Sequence, residues 1–98
     1  MTEAELTGEI LSLAGELGVL AHHCPDSRRC HGPKGFPDLV LAGTRGTVFA
    51  ELKNDYSDTT ADQEWWRWHL VKSGQHWRLW RPADLANGTI RSTLERIA

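Results

Sequence analysis

Two short apolar runs separated by four turn-forming residues constrain this chain more than any other feature. Asp38-Leu39-Val40-Leu41-Ala42 and Thr47-Val48-Phe49-Ala50-Glu51-Leu52-Lys53 flank Gly43-Thr44-Arg45-Gly46, the pattern of a β-hairpin. Upstream, Thr2-Glu3-Ala4-Glu5 fits a capping box, and Leu6, Ile10, Leu13, Ala14 and Leu17 follow at spacings of three and four as far as Gly18. That stripe predicts an amphipathic first helix. Val19-Leu20-Ala21-His22 reads as a short strand. Cys24 to Pro37 contains Pro25, Gly32, Pro33, Gly35 and Pro37 and reads as a long exposed loop. Downstream, Thr60-Ala61-Asp62-Gln63 opens a second capped helix through Trp66 and Leu70 to Gly74. His76 to Arg81 alternates as a strand until Pro82 stops it, and Thr89 to Ile97 forms a last short helix. The order αβββαβα predicts a single α/β domain with a mixed sheet over residues 1–98.

Composition narrows the function classes. With 98 residues, 40% hydrophobic and 24% charged, the chain suits one compact domain. Its net charge of −2 lacks the basic excess of a general nucleic-acid binder, but residues 1–21 and 54–66 carry −4 each while 22–53 carry +2 and 67–91 carry +4. A local basic face stays possible. No apolar run reaches the roughly 18–20 residues that span a bilayer, and the acidic start Met1-Thr2-Glu3-Ala4-Glu5 is unlike a secretory signal, so a cytoplasmic protein is expected. Five tryptophans exceed what so small a core encloses, so at least one is expected at the surface.

Charged residues at strand ends are costly unless they have a task, and the hairpin carries three. Side chains alternate along a strand, so Glu51 and Lys53 share a face opposite Leu52. Asp38 starts the partner strand at the same open end of the hairpin. Two carboxylates and an ammonium therefore converge, a hard-oxygen set suited to Mg²⁺ or Mn²⁺ and to phosphodiester hydrolysis.

At these residues the sequence resembles a known family. Pro37-Asp38 followed by Glu51-Leu52-Lys53 resembles the PD-(D/E)XK nuclease signature. Gly35-Phe36-Pro37-Asp38-Leu39 with Glu51-Leu52-Lys53-Asn54 and Gln63 resembles its VRR-NUC branch, of the small stand-alone phage and bacterial type. His23 with Asp26-Ser27-Arg28-Arg29, Gly74, and Trp80-Arg81-Pro82-Ala83-Asp84 extend the likeness over about residues 3–85. The resemblance implies a restriction-endonuclease-like domain with an αβββαβ core. It also implies a metal-dependent endonuclease acting on structured, branched or flapped DNA in the manner of a junction resolvase, often as a homodimer. Asp38 and Glu51 would hold metal with the Leu52 carbonyl, Lys53 would assist the water, Gln63 would stand at the site, and Glu3, with Glu5 close behind, would be the first-helix carboxylate. Cys24 and Cys30, Gly8, and a loop carrying three histidines depart from the family pattern without removing a catalytic group.

Plainer readings stand beside these. Asp38, Glu51 and Lys53 would also suit a surface salt-bridge cluster, Gln63 a helix cap, and Glu3, Glu5 and Glu9 a solvated helix face. His23 is a candidate beside the phosphate or simply solvated. Ser27, Arg28, Arg29, Lys34 and Arg45 are candidates for DNA contact on a basic loop, or merely solvated. His22, Cys24, Cys30 and His31 have the chemistry of a zinc site, which would make the chain a zinc-stabilised interaction protein. A non-catalytic nucleic-acid-binding module with the same fold is the other alternative. For a homodimer, the Trp77–Trp80 strand and the second helix are the expected contact surface.

Overall fold

The computed structural model describes residues 1–23 and 32–98. Helix α1 spans Glu3–Leu17 because both ends are closed locally. Thr2 and Glu5 satisfy each other's backbone amides at 2.9 and 3.1 Å, and Gly18 ends the helix at φ 74°, its amide bonding back to Ala14 and Gly15. Strands β1 (Leu20–His23), β2 (Leu39–Ala42) and β3 (Thr47–Leu52) form an antiparallel meander, while β4 (His76–Trp80) adds parallel to β3 after helix α2 (Ala61–Lys72). The result is the expected mixed sheet, in the order β1-β2-β3-β4.

Period-2 alternation sorts the sheet into two faces. Leu39, Leu41, Val48, Ala50, Leu52 and Trp80 lie under α1 and a C-terminal helix, joining Leu6, Ile10, Leu13, Ala14, Ile90, Leu94 and Ile97 in one buried cluster. Each such aliphatic side chain contributes about 1.5–3 kcal/mol by leaving water. The opposite face carries Asp38, Phe49, Glu51, Lys53 and Trp77, partly covered by α2 through Trp66, whose ring meets Phe36 edge-on at 5.0 Å. No residue of α2 itself is fully buried.

Three expectations need correction. Pro82 does more than stop β4: it opens a short helix, α3 (Pro82–Ala86), before α4 (Thr89–Ile97), since a proline at the first helical position lacks only an amide that would be unpaired anyway. Arg45 is not held ready for DNA. Its guanidinium bonds the Glu95 and Ala98 carbonyls at 2.7 and 3.0 Å, and its amide bonds Ile97, so it closes the C-terminus of α4. Gly43 lets the hairpin tip press there, because any Cβ would collide with the Ile97 carbonyl. Thirdly, Trp77 and Trp80 are 8% and 1% exposed, so β4 offers no aromatic surface to a second copy. The exposed tryptophans are Trp65 and Trp68, both on α2.

Candidate active site

The open end of the hairpin gathers the charged residues that the sequence singles out. Asp38, just before β2, accepts a 2.8 Å hydrogen bond on Oδ2 from the Leu52 amide, which pins its carboxylate across the strand gap. Glu51 and Lys53 leave β3 on the face Asp38 occupies, and the Lys53 amide donates to the Trp80 carbonyl at 3.1 Å. The parallel β3/β4 pairing thus fixes the backbone where both side chains emerge. Both are withdrawn from solvent, at 1% exposure for Glu51 and 9% for Lys53.

Gln63 joins from α2 and performs two tasks at once. Its Oε1 accepts from the Thr60 amide at 2.8 Å, completing the helix cap, while its Nε2 donates to Glu51 Oε1 at 2.9 Å. The capping and site readings therefore coexist, since an amide has both an acceptor and a donor end.

Glu51 Oε2 is buried with no hydrogen-bond partner among the described residues. Burial pushes the Glu51 carboxyl up to about 9, the neighbouring Asp38 carboxyl adds to the rise, and Lys53 opposes it. An unpaired buried carboxyl of this kind costs stability, and a hard cation would satisfy it. The donor types fit such an ion: two carboxylates with one backbone carbonyl, that of Leu52, suit Mg²⁺ or Mn²⁺. Among the described residues no group of three or more His, Cys, Asp or Glu is placed to hold a metal, so the protein's share of the coordination would be small and water or phosphate would complete it.

The first-helix carboxylates separate. Glu5 is engaged in the α1 cap, where the Thr2 amide holds its carboxyl below the ordinary range. Glu3 is solvent-exposed, and its charge raises Glu51 slightly; it stands at the periphery of the site. His23 pairs with Leu39 across the β1/β2 ladder, so alternation assigns it to the Leu39 face, away from Asp38, whereas His22 beside Val40 shares the Asp38 face. Lys34 is exposed on the loop leading to Asp38. Ser27, Arg28 and Arg29, and Cys24, Cys30 and His31 of the alternative zinc site, lie outside the described residues.

Two further residues shape the site. Arg81, just after β4, donates from Nη1 to the Asn54 and Ser57 carbonyls at 2.6 and 2.7 Å, and Asn54 Oδ1 accepts from the Tyr56 and Ser57 amides at 2.8 Å each. Together they freeze the turn between Lys53 and α2. Asn54 carries a local signal, the Asx turn; Arg81 reaches across 27 residues and carries none. A surface depression of about 810 Å³ lies elsewhere, along α2 beside Trp65, Trp68 and Lys72, roughly half a helical turn round from Gln63.

No protein-family model and no curated protein matches the chain. A solved structure described as a VRR_NUC domain protein superposes with a TM-score of 0.68 at 21% identity, over 93% of this chain and 86% of that one. The chain thus has the fold of that VRR_NUC domain protein, a restriction-endonuclease-like α/β fold.

Proposed function

We propose that the chain is a divalent-metal-dependent endodeoxyribonuclease of the VRR-NUC type within the PD-(D/E)XK nucleases, cutting branched or flapped DNA. The observation that carries this reading is Glu51: a carboxyl 1% exposed, one oxygen held by Gln63 and the other without a partner among the described residues, beside Asp38 and Lys53. A binding-only domain has no use for a buried acid set beside a second carboxyl at the place where phosphate would approach.

Asp38, Glu51 and the Leu52 carbonyl would hold Mg²⁺ or Mn²⁺, and a bound ion supplies Lewis-acid polarisation of the phosphodiester and activation of water. The chain's own groups set the geometry. The Leu52 amide fixes Asp38, Gln63 Nε2 fixes Glu51, and the Lys53 ammonium offsets negative charge gathering on the phosphoryl oxygens. Glu3 adds a carboxylate at the rim. Lys34, with Ser27, Arg28 and Arg29, would contact the DNA backbone. Two copies would present two such sites to opposite strands of a junction. The setting proposed is the cytoplasm, the host's if a phage encodes the chain; among the described residues no helix is long and apolar enough to cross a membrane.

The test is incubation with duplex, flapped and four-way-junction DNA in Mg²⁺, Mn²⁺ or chelator. Metal-dependent cleavage of the branched forms that vanishes in Glu51→Gln supports the reading. Binding without cleavage under every metal condition refutes it in favour of a binding module.

A further inference from the structure

We propose that Tyr56 is a stacking residue that takes an unpaired nucleobase next to the phosphodiester to be cut, so that the turn after β3 selects strands offering a free base face; this rests on the nuclease reading above. Tyr56 is 94% exposed, more than any other large apolar or aromatic side chain among the described residues. It follows Lys53 by three residues, a span of at most about 10 Å, or about three base steps.

What distinguishes it from an incidental surface tyrosine is the stiffness of its mount. Asn54 Oδ1 accepts from the Tyr56 amide, the Ser57 amide and the Ser57 hydroxyl at 2.8, 2.8 and 3.0 Å. Arg81 ties down the Asn54 and Ser57 carbonyls and reaches Asp58 at 3.4 Å. The backbone that presents the ring is ordered before any ligand arrives, so little entropy is lost there on binding.

The charge around the ring favours a base over a phosphate. Asp55 adjoins Tyr56 in sequence and repels a phosphate at the ring, whereas an aromatic face accepts any base. Inside a continuous duplex both faces of a base are already covered, which leaves an unpaired or terminal base as the partner. Trp65 and Trp68 are less suited, since they stack on each other at 5.9 Å and 9° and both meet His69 edge-on.

The test uses the intact chain and single-stranded oligonucleotides carrying 2-aminopurine at successive positions. Fluorescence titration in chelator reads stacking without cleavage, and KM and kcat with Mn²⁺ are measured for Tyr56→Ala, Tyr56→Phe and Tyr56→Trp. The expected result is quenching at one or two adjacent positions, lost in Tyr56→Ala together with a roughly 5- to 150-fold weaker affinity or higher KM, and restored by Tyr56→Phe and Tyr56→Trp. Unchanged quenching and KM in Tyr56→Ala would overturn the proposal, as would equal damage in all three variants, which would show that the hydroxyl or the turn matters and not the ring. Wild-type turnover of bis(p-nitrophenyl) phosphate, which has no base, tests the nuclease reading separately. If that fails, the fluorescence titration still decides the role of Tyr56.

Discussion

Metal binding at this site should expel about one proton at neutral pH. The Glu51 carboxyl is pushed up to about 9 by burial first and by Asp38 second, so at pH 7 the metal-free protein holds it predominantly protonated. A divalent cation requires the carboxylate. Proton release should therefore be about one per site at pH 7 and about one half at pH 9. Isothermal titration with Mn²⁺ in two buffers of different ionisation enthalpy measures it directly. Glu51→Gln should neither bind the ion nor release the proton. The same shift fixes the sign of the stability profile. A carboxyl whose folded pKa lies above its unfolded value of 4.5 stabilises the fold fully below pH 4.5, and that contribution is lost as pH rises toward 9. The slope is at most ~1.36 kcal/mol per pH unit, enough for the loss to be measurable against a typical domain's stability. Glu51→Gln should flatten the profile, matching wild type at pH 4 and exceeding it at pH 8.5 in urea denaturation. Tight Mn²⁺ binding with no proton release, or superimposable pH profiles for the two proteins, would refute the account of Glu51.

Other perturbations probe the supports of the site. Gln63→Glu keeps the capping acceptor but sets a second carboxylate where Nε2 now donates to Glu51 at 2.9 Å; helix content by circular dichroism should hold while cleavage falls about tenfold or more, the effect of ~1.4 kcal/mol. Gly35→Ala forces a side chain into φ +85° and against the Asp62 backbone, which should cost about 2 kcal/mol and lower Tm by roughly 10 °C. Arg81→Ala removes the donors to the Asn54 and Ser57 carbonyls, a loss of about 3 kcal/mol, and limited proteolysis should then cut between residues 54 and 58 well before wild type. Sedimentation equilibrium with junction DNA should report two copies per junction; a single copy bound at saturation would remove the paired-incision geometry.

Most of the fold is legible because its signals are local. Thr2 with Glu5, Thr60 with Gln63, Gly18 after the α1 stripe, and the glycines bracketing Thr44-Arg45 each act within five residues. Chain neighbours meet whatever the distant packing does, so helix ends and the hairpin follow from the residues alone. The convergence of Asp38 with Glu51 was legible for the same reason, since a hairpin's register brings together its own two ends. α3 was missed because a proline that ends a strand and one that opens a helix look alike in sequence.

The remainder belongs to tertiary structure. Whether Gln63 capped its helix or served the site depended on where α2 came to rest over β3, twelve residues away, and packing gave it both partners. Arg45 and Arg81 carry the same charge, and neither has a local partner in sequence that marks its role. One closes α4 across 50 residues and the other holds the turn after β3 across 27. A guanidinium can reach many carbonyls, and only the folded chain brings a particular set within hydrogen-bond distance. The burial of Glu51 was decided in the same way: alternation gives its face, but only the folded chain withdraws it from water, sets Gln63 against it and so raises its proton affinity.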